Sequence, residues 1–157
     1  MTLQRLNELT QTEAERELLA CCGSRRWAAV VSAGRPYPTA RALQRAADQE
    51  WWALAEADWQ EAFAAHPRIG ATARGEQAGV AAAPPDTLAA LAEGNRRYEE
   101  RFGRVFLVRA AGRSAAEMLA LLRQRLDSDP ATELRVAAGE QAEITRLRLE
   151  RLLRPGA

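Results

Sequence analysis

The chain carries 157 residues with 22 basic against 21 acidic side chains, a net charge of +1. A charge this balanced provides no overall field to draw it to nucleic acid or an anionic membrane. Hydrophobic residues make up 47% of the chain, yet many are alanine, and no run approaches the roughly 20 apolar residues a membrane span needs. The length predicts one domain, over 1–157, with a single substantial core. Every basic residue is arginine. That fits a GC-rich codon usage, and it also supplies forked donors wherever one lines a pocket.

The amino terminus, M-T-L-Q-R-L-N-E-L-T, is amphipathic and lacks the basic start and apolar run of a secretory signal, so a cytoplasmic location is expected. Leu3, Leu6 and Leu9 predict a first short helix. Thr12 with Glu15 reads as a capping box opening a second helix, whose apolar face is Ala14, Leu18, Cys21 and Cys22 and which Gly23 ends. Adjacent cysteines are poorly placed to bridge each other, which fits a reducing compartment. Ser24 opens a helix carrying Trp27, Val30 and Val31 that closes at Gly34. Arg35-Pro36-Tyr37-Pro38 must be extended, because each proline restricts the residue before it. Arg35 and Tyr37 read first as structural wall. From Thr39 a longer helix runs to about Glu56.

The sole histidine, His66, lies in D-W-Q-E-A-F-A-A-H-P-R-I-G-A-T-A-R-G-E-Q-A-G, residues 58–79. Asp58 with Glu61 reads as a capping box, Trp59 and Phe63 share a helical face, and Pro67 ends the helix at His66. Ten and eleven residues later stand Glu76 and Gln77, across a turn through Gly70. An imidazole at a helix end, with a carboxylate and a carboxamide across a glycine-containing turn, suits acid/base chemistry. The alternative at His66 is a helix-end ring satisfied by a carbonyl.

Downstream, Ala81-Ala82-Ala83-Pro84-Pro85 is a linker, and Asp86 or Thr87 caps a helix whose inward stripe is Leu88, Leu91, Asn95, Tyr98 and Phe102. Asn95, polar in that stripe, either caps a neighbouring helix or faces a cavity. From Phe102 to Ala110 the helical period breaks. With no comparable run to pair with, this predicts an extended segment near 104–110 packed across helices, its peptide groups offered to a ligand. Ser114 with Glu117 opens a helix burying Met118, Leu119, Leu122 and Leu126. Asp129-Pro130 opens the last one, with Val136, Glu140, Ile144, Leu147 and Leu152 inward until Arg154-Pro155. The fold class is therefore all-α, a compact bundle of about seven or eight helices.

Taken together, Arg35-Pro36-Tyr37, Trp51-Trp52, Asp58-Trp59, Ala62 to Gly70, Gly75-Glu76-Gln77-Ala78-Gly79, Asn95, Tyr98, Phe102-Gly103 and Arg146-Leu147-Arg148-Leu149 resemble, in order, the 2-oxo-4-hydroxy-4-carboxy-5-ureidoimidazoline (OHCU) decarboxylases of urate breakdown. The resemblance implies a lyase that needs no cofactor and no metal, acts on OHCU to give S-allantoin, and tends to dimerise. It implies His66 and Glu76 as catalytic residues. Pro67, Ala73, Gln77, the main chain of Phe106, Leu107, Val108, Arg109 and Ala110, and Arg148 would contact substrate. The loop before Glu76 is shorter than in many members, and Ala73 stands where they usually have serine. A decarboxylase or tautomerase of a related ureido-heterocycle, and a non-catalytic helical interaction module, are the competing readings.

Overall fold

The computed structural model describes residues 1–154, and among them every regular element is helical. The elements are α1 (Leu3–Glu8), α2 (Gln11–Leu19), α3 (Arg25–Ala33), α4 (Ala40–Trp52), α5 (Glu56–Ala64), a 3-10 turn (Gly75–Val80), α6 (Pro85–Phe102), α7 (Ala115–Leu126) and α8 (Pro130–Leu152). The chain forms two compact units. One comprises Met1–Ala62 with the stretch beginning at Ala142, and the other is Phe63–Gln141.

In the first unit Leu6, Leu18, Trp27, Val31, Leu43, Trp51 and Leu149 are buried. Each polar edge of this core is answered. The Trp27 indole donates to the Ala47 carbonyl at 2.9 Å, and that of Trp59 donates to the Trp51 carbonyl at 2.9 Å. Arg35 donates to the carbonyls of Leu6 and Leu9, both at 2.7 Å, and to that of Ser32 at 2.8 Å. It thereby satisfies orphan carbonyls where α1 ends. Asn7 and Tyr37 exchange side-chain and backbone bonds at 2.9 Å. Arg35 and Tyr37 are thus structural here, as their sequence context suggested.

Two capping boxes fall elsewhere than expected. The α2 box is Thr10 with Glu13, while Thr12 and Glu15 lie inside the helix. Both frames read Ser/Thr-x-x-Glu, and the earlier one starts the helix at Gln11, ahead of the buried Ala14 and Leu18. Helix α5 begins at Glu56, so Asp58 sits in its first turn, and the Glu61 carboxylate instead accepts from the Arg25 backbone at 2.6 Å and its guanidinium at 2.9 Å. Neither Asp86 nor Thr87 caps α6. Pro85 stands at the first helical position, where it has no N–H to satisfy. The Ser114–Glu117 box is present, and Asp129 accepts from the Thr132 backbone at 3.0 Å at the start of α8. Pro155, expected to stop α8, lies outside the described residues.

The second unit buries Val80, Leu91, Tyr98, Phe106, Val108, Met118 and Leu122 together. Helices α6 and α7 approach closely because position 94 is glycine, where an added Cβ would meet Leu122 Cδ2 at 2.6 Å. From Val105 to Ala110 the chain is neither helix nor strand, as the broken period predicted, and Phe106, Leu107, Val108 and Ala110 are buried.

Candidate active site

Helix α5 ends at Ala64, two residues before His66, whose N–H turns back to the Phe63 carbonyl at 3.2 Å. Exposed Pro67 follows and turns the chain away, leaving the imidazole half-buried. Its Nε2 lies 2.6 Å from Oε1 of Gln141, a residue of α8 that is fully buried. The group that Nε2 meets is thus the amide carbonyl of a buried side chain.

Beyond Pro67 the loop is held from two sides. Gly70 turns at φ 91°, a left-handed conformation that suits glycine, and its N–H donates to Gln77 Oε1 at 2.8 Å. Gln77 Nε2 donates to the Arg68 carbonyl at 3.1 Å, and Asn95 Nδ2 donates to the Ile69 carbonyl at 2.8 Å. Asn95 therefore bonds a loop carbonyl and caps no helix. It also lines a cleft of about 370 Å³ with Ile69, Gly70, Leu88 and Glu99. Glu76 is half-buried and Gln77 buried on the 3-10 turn, whereas Ala73 is exposed in the loop between. That turn lies against the chain at Arg113, since an added Cβ on Gly79 would meet the Arg113 carbonyl oxygen at 2.0 Å.

The extended segment is anchored by side chains. Arg125 Nη1 donates to the Leu107 carbonyl, and the Arg109 N–H donates to Glu140 Oε2 at 2.9 Å. Two of the peptide groups expected to await a ligand are thus engaged by the protein itself, because buried backbone must find partners in the fold as well as in a ligand. Arg125 in turn pairs with wholly buried Glu133 at 2.5 Å, and Glu133 accepts from the Tyr98 hydroxyl at 2.6 Å. Burial first, and then this bond to the carboxylate, push the Tyr98 phenol up to about 12. Arg104 covers the Phe63 and Phe102 rings, with its guanidinium carbon 5.9 and 5.7 Å from their centroids.

Arg148 belongs to the first unit. It is half-buried on α8 beside buried Ile144 and Leu149. Its charge acts there on the Cys22 thiol, which burial pushes up to about 11 while Arg148 opposes the rise. Among the described residues no three His, Cys, Asp or Glu side chains gather to hold a metal ion, and no helix is long and apolar enough to cross a membrane.

Residues 7–150 match the OHCU decarboxylase family. The chain belongs to that family. It is similar to a uric acid degradation bifunctional protein of Arabidopsis thaliana, 36% identical over 151 residues, covering 88% of this chain and 47% of that protein. It thus spans about half the length of that relative. It is also similar to the 2-oxo-4-hydroxy-4-carboxy-5-ureidoimidazoline decarboxylase of Amia calva, 30% identical over 138 residues, with 80% of this chain and 79% of the relative covered. A solved OHCU decarboxylase, determined in the presence of (S)-allantoin, superposes with a TM-score of 0.83 at 38% identity, covering 87% of this chain and 96% of its own. A second solved structure, an (S)-allantoin synthase, shares the fold, with a TM-score of 0.77 at 19% identity over 98% of this chain and 54% of its own.

Three residues at or near the candidate site escape a reading by motif: Gln141, Arg125 and Glu133. Gln141 and Glu133 stand eight apart on one face of α8 with buried Ala137 between them. That i, i+4, i+8 spacing of two polar residues around an alanine was the available signal.

Proposed function

We propose that this chain is a carboxy-lyase, decarboxylating OHCU to S-allantoin in urate degradation, within one helical domain over 1–157 that assembles as a homodimer. Family membership across residues 7–150 supports the reaction class. The observation that carries the reading to residues is the single imidazole, half-buried just past α5 and held through Nε2 by a buried side chain.

The chemistry asks little beyond such a site. In OHCU the carbon bearing the carboxylate also bears a hydroxyl and adjoins a ring C=N carbon. When the carbon–carboxylate bond breaks, carbon dioxide leaves and the electron pair flows into that imine, giving an enediol-like intermediate. One proton delivered to a single face then yields the S product. The substrate is its own electron sink, so the reading calls for no cofactor and no metal.

His66 acts as general acid/base on the substrate hydroxyl and the proton to be delivered. Glu76 orients it or accepts from ureido and ring N–H groups, and Arg148 receives the carboxylate or a carbonyl through paired donors. Gln77 has its oxygen and one N–H committed to Gly70 and Arg68, so ring amides would be read by its second N–H. The main chain of Phe106, Val108 and Ala110, on either side of the anchored Leu107 and Arg109, offers the remaining peptide contacts. Pro67 sets the direction of the loop, and Ala73 supplies a small surface where a hydroxyl is usual.

The test is circular dichroism of the product when the protein meets OHCU freshly generated from urate. Wild type is expected to give an S-allantoin signal well above the spontaneous racemic background, and His66→Ala to lose it by about 100- to 10,000-fold with its far-ultraviolet spectrum unchanged. Wild type at the background rate would overturn the reaction, and an unfolded His66→Ala would make His66 structural.

A further inference from the structure

Gln141 is fully buried on α8, where a carboxamide is costly unless it is bonded. Its oxygen faces His66 Nε2 at 2.6 Å. An amide oxygen can only accept, so at this distance the ring nitrogen must carry the proton. A neutral imidazole has one N–H, and once it is spent on Gln141 the lone pair belongs to Nδ1. We infer that Gln141 is a positioning residue for His66. It fixes the Nε2–H tautomer and the ring plane, and so places the lone pair of the neutral ring at Nδ1. This rests on the reading of His66 as the acid/base.

The choice of a carboxamide matters chemically. A carboxylate in the same place would orient the ring equally well but add a negative charge that favours the protonated imidazolium, and would hold back the proton the intermediate must receive. Gln141 directs the ring without that charge. It stands on a long helix, clear of the glycine turns that carry Glu76 and Gln77, so its aim does not depend on the loop.

The protein has one histidine, so selective ¹⁵N-histidine spectra report on this ring alone. At about pH 9, well above the ordinary imidazole pKa of about 6.5, wild type is expected to show the Nε2–H tautomer. Gln141→Leu should show mixed tautomers, with kcat lowered roughly 10- to 100-fold, the scale seen when a partner orienting a ligating histidine is removed, and KM changed little. Gln141→Glu, which keeps an acceptor, should restore the tautomer, while its added charge keeps kcat below that of wild type. An Nδ1–H tautomer in wild type, or Gln141→Leu keeping both tautomer and kcat, would overturn the inference. Should Gln141→Leu fail to fold, the wild-type and Gln141→Glu spectra decide it. If His66→Ala retained S-allantoin formation, the catalytic reading itself would fail, whatever the tautomer.

Discussion

Glu133 shows how one residue couples stability to the candidate site. Its Oε1 receives Arg125 Nε at 2.8 Å and Nη2 at 2.5 Å and the Tyr98 hydroxyl at 2.6 Å, with no exposed surface. Taking two charges out of water offsets much of their attraction, so the pair's net worth is small while the cost of breaking it is large. Glu133→Gln, which strands the guanidinium, is expected to destabilise the fold by about 3–5 kcal/mol in urea titrations. The double change Arg125→Met/Glu133→Leu should cost clearly less than that single one. Arg125 also holds the Leu107 carbonyl, so either variant should raise KM for the proposed substrate. A Glu133→Gln protein as stable as wild type would contradict this. Apart from their shared face with Ala137, Glu133 and Gln141 each read as a solvated position on a helix rich in Glu and Arg. The histidine was legible because it is single and stands at a helix end before proline.

At the scale of elements, the 3-10 turn carrying Glu76 and Gln77 is fixed by contact. Gly79 presses on the Arg113 backbone, which cannot swing aside as a flexible side chain would. Gly79→Ala should therefore cost roughly 1–3 kcal/mol, the range for overpacking, and should lower activity by shifting the turn. A variant with unchanged melting temperature and turnover would contradict this. Helix existence was readable almost throughout from caps and apolar spacing, but phase was not. On α8, Val136 is 38% exposed while Ala137 is fully buried, one position round from the expected stripe. Alanine, glutamate and glutamine carry little hydropathy signal, so the face they share could not outweigh a lone valine. The overlapping Thr-x-x-Glu frames at the start of α2 failed in a similar way, because local chemistry allows both and burial selects one.

For the molecule as a whole, the arginine-only basic set has an alkaline consequence. Arginine keeps its charge well past pH 11, so ion pairs persist where two buried neutral groups come under pressure. Burial raises the Cys22 thiol from 9.0 to about 11 and the Tyr98 phenol from 10.0 to about 12. Below pH 9 both are neutral in either state and their full contribution is present. Above it the unfolded chain ionises first, so stability falls over about pH 9 to 11 for Cys22 and 10 to 12 for Tyr98. Each rise corresponds to roughly 3 kcal/mol of preference for the neutral form. Urea midpoints at pH 8 and 11 should differ accordingly, and Cys22→Ala should flatten the earlier part of the loss. Light scattering after gel filtration checks the proposed homodimer, expected at twice the 17.3 kDa chain mass. By itself the sequence determined the helical class, the starts of α3, α4, α7 and α8, the break near 104–110 and the family, because capping, proline and period act over a few residues. The tertiary structure alone decided that Gln141 meets His66, that Glu133 and Arg125 are buried together, and that Arg125 and Glu140 hold the extended segment. These pairings join residues 8 to 75 positions apart, and their free energy comes from burial, which no local pattern of side chains records.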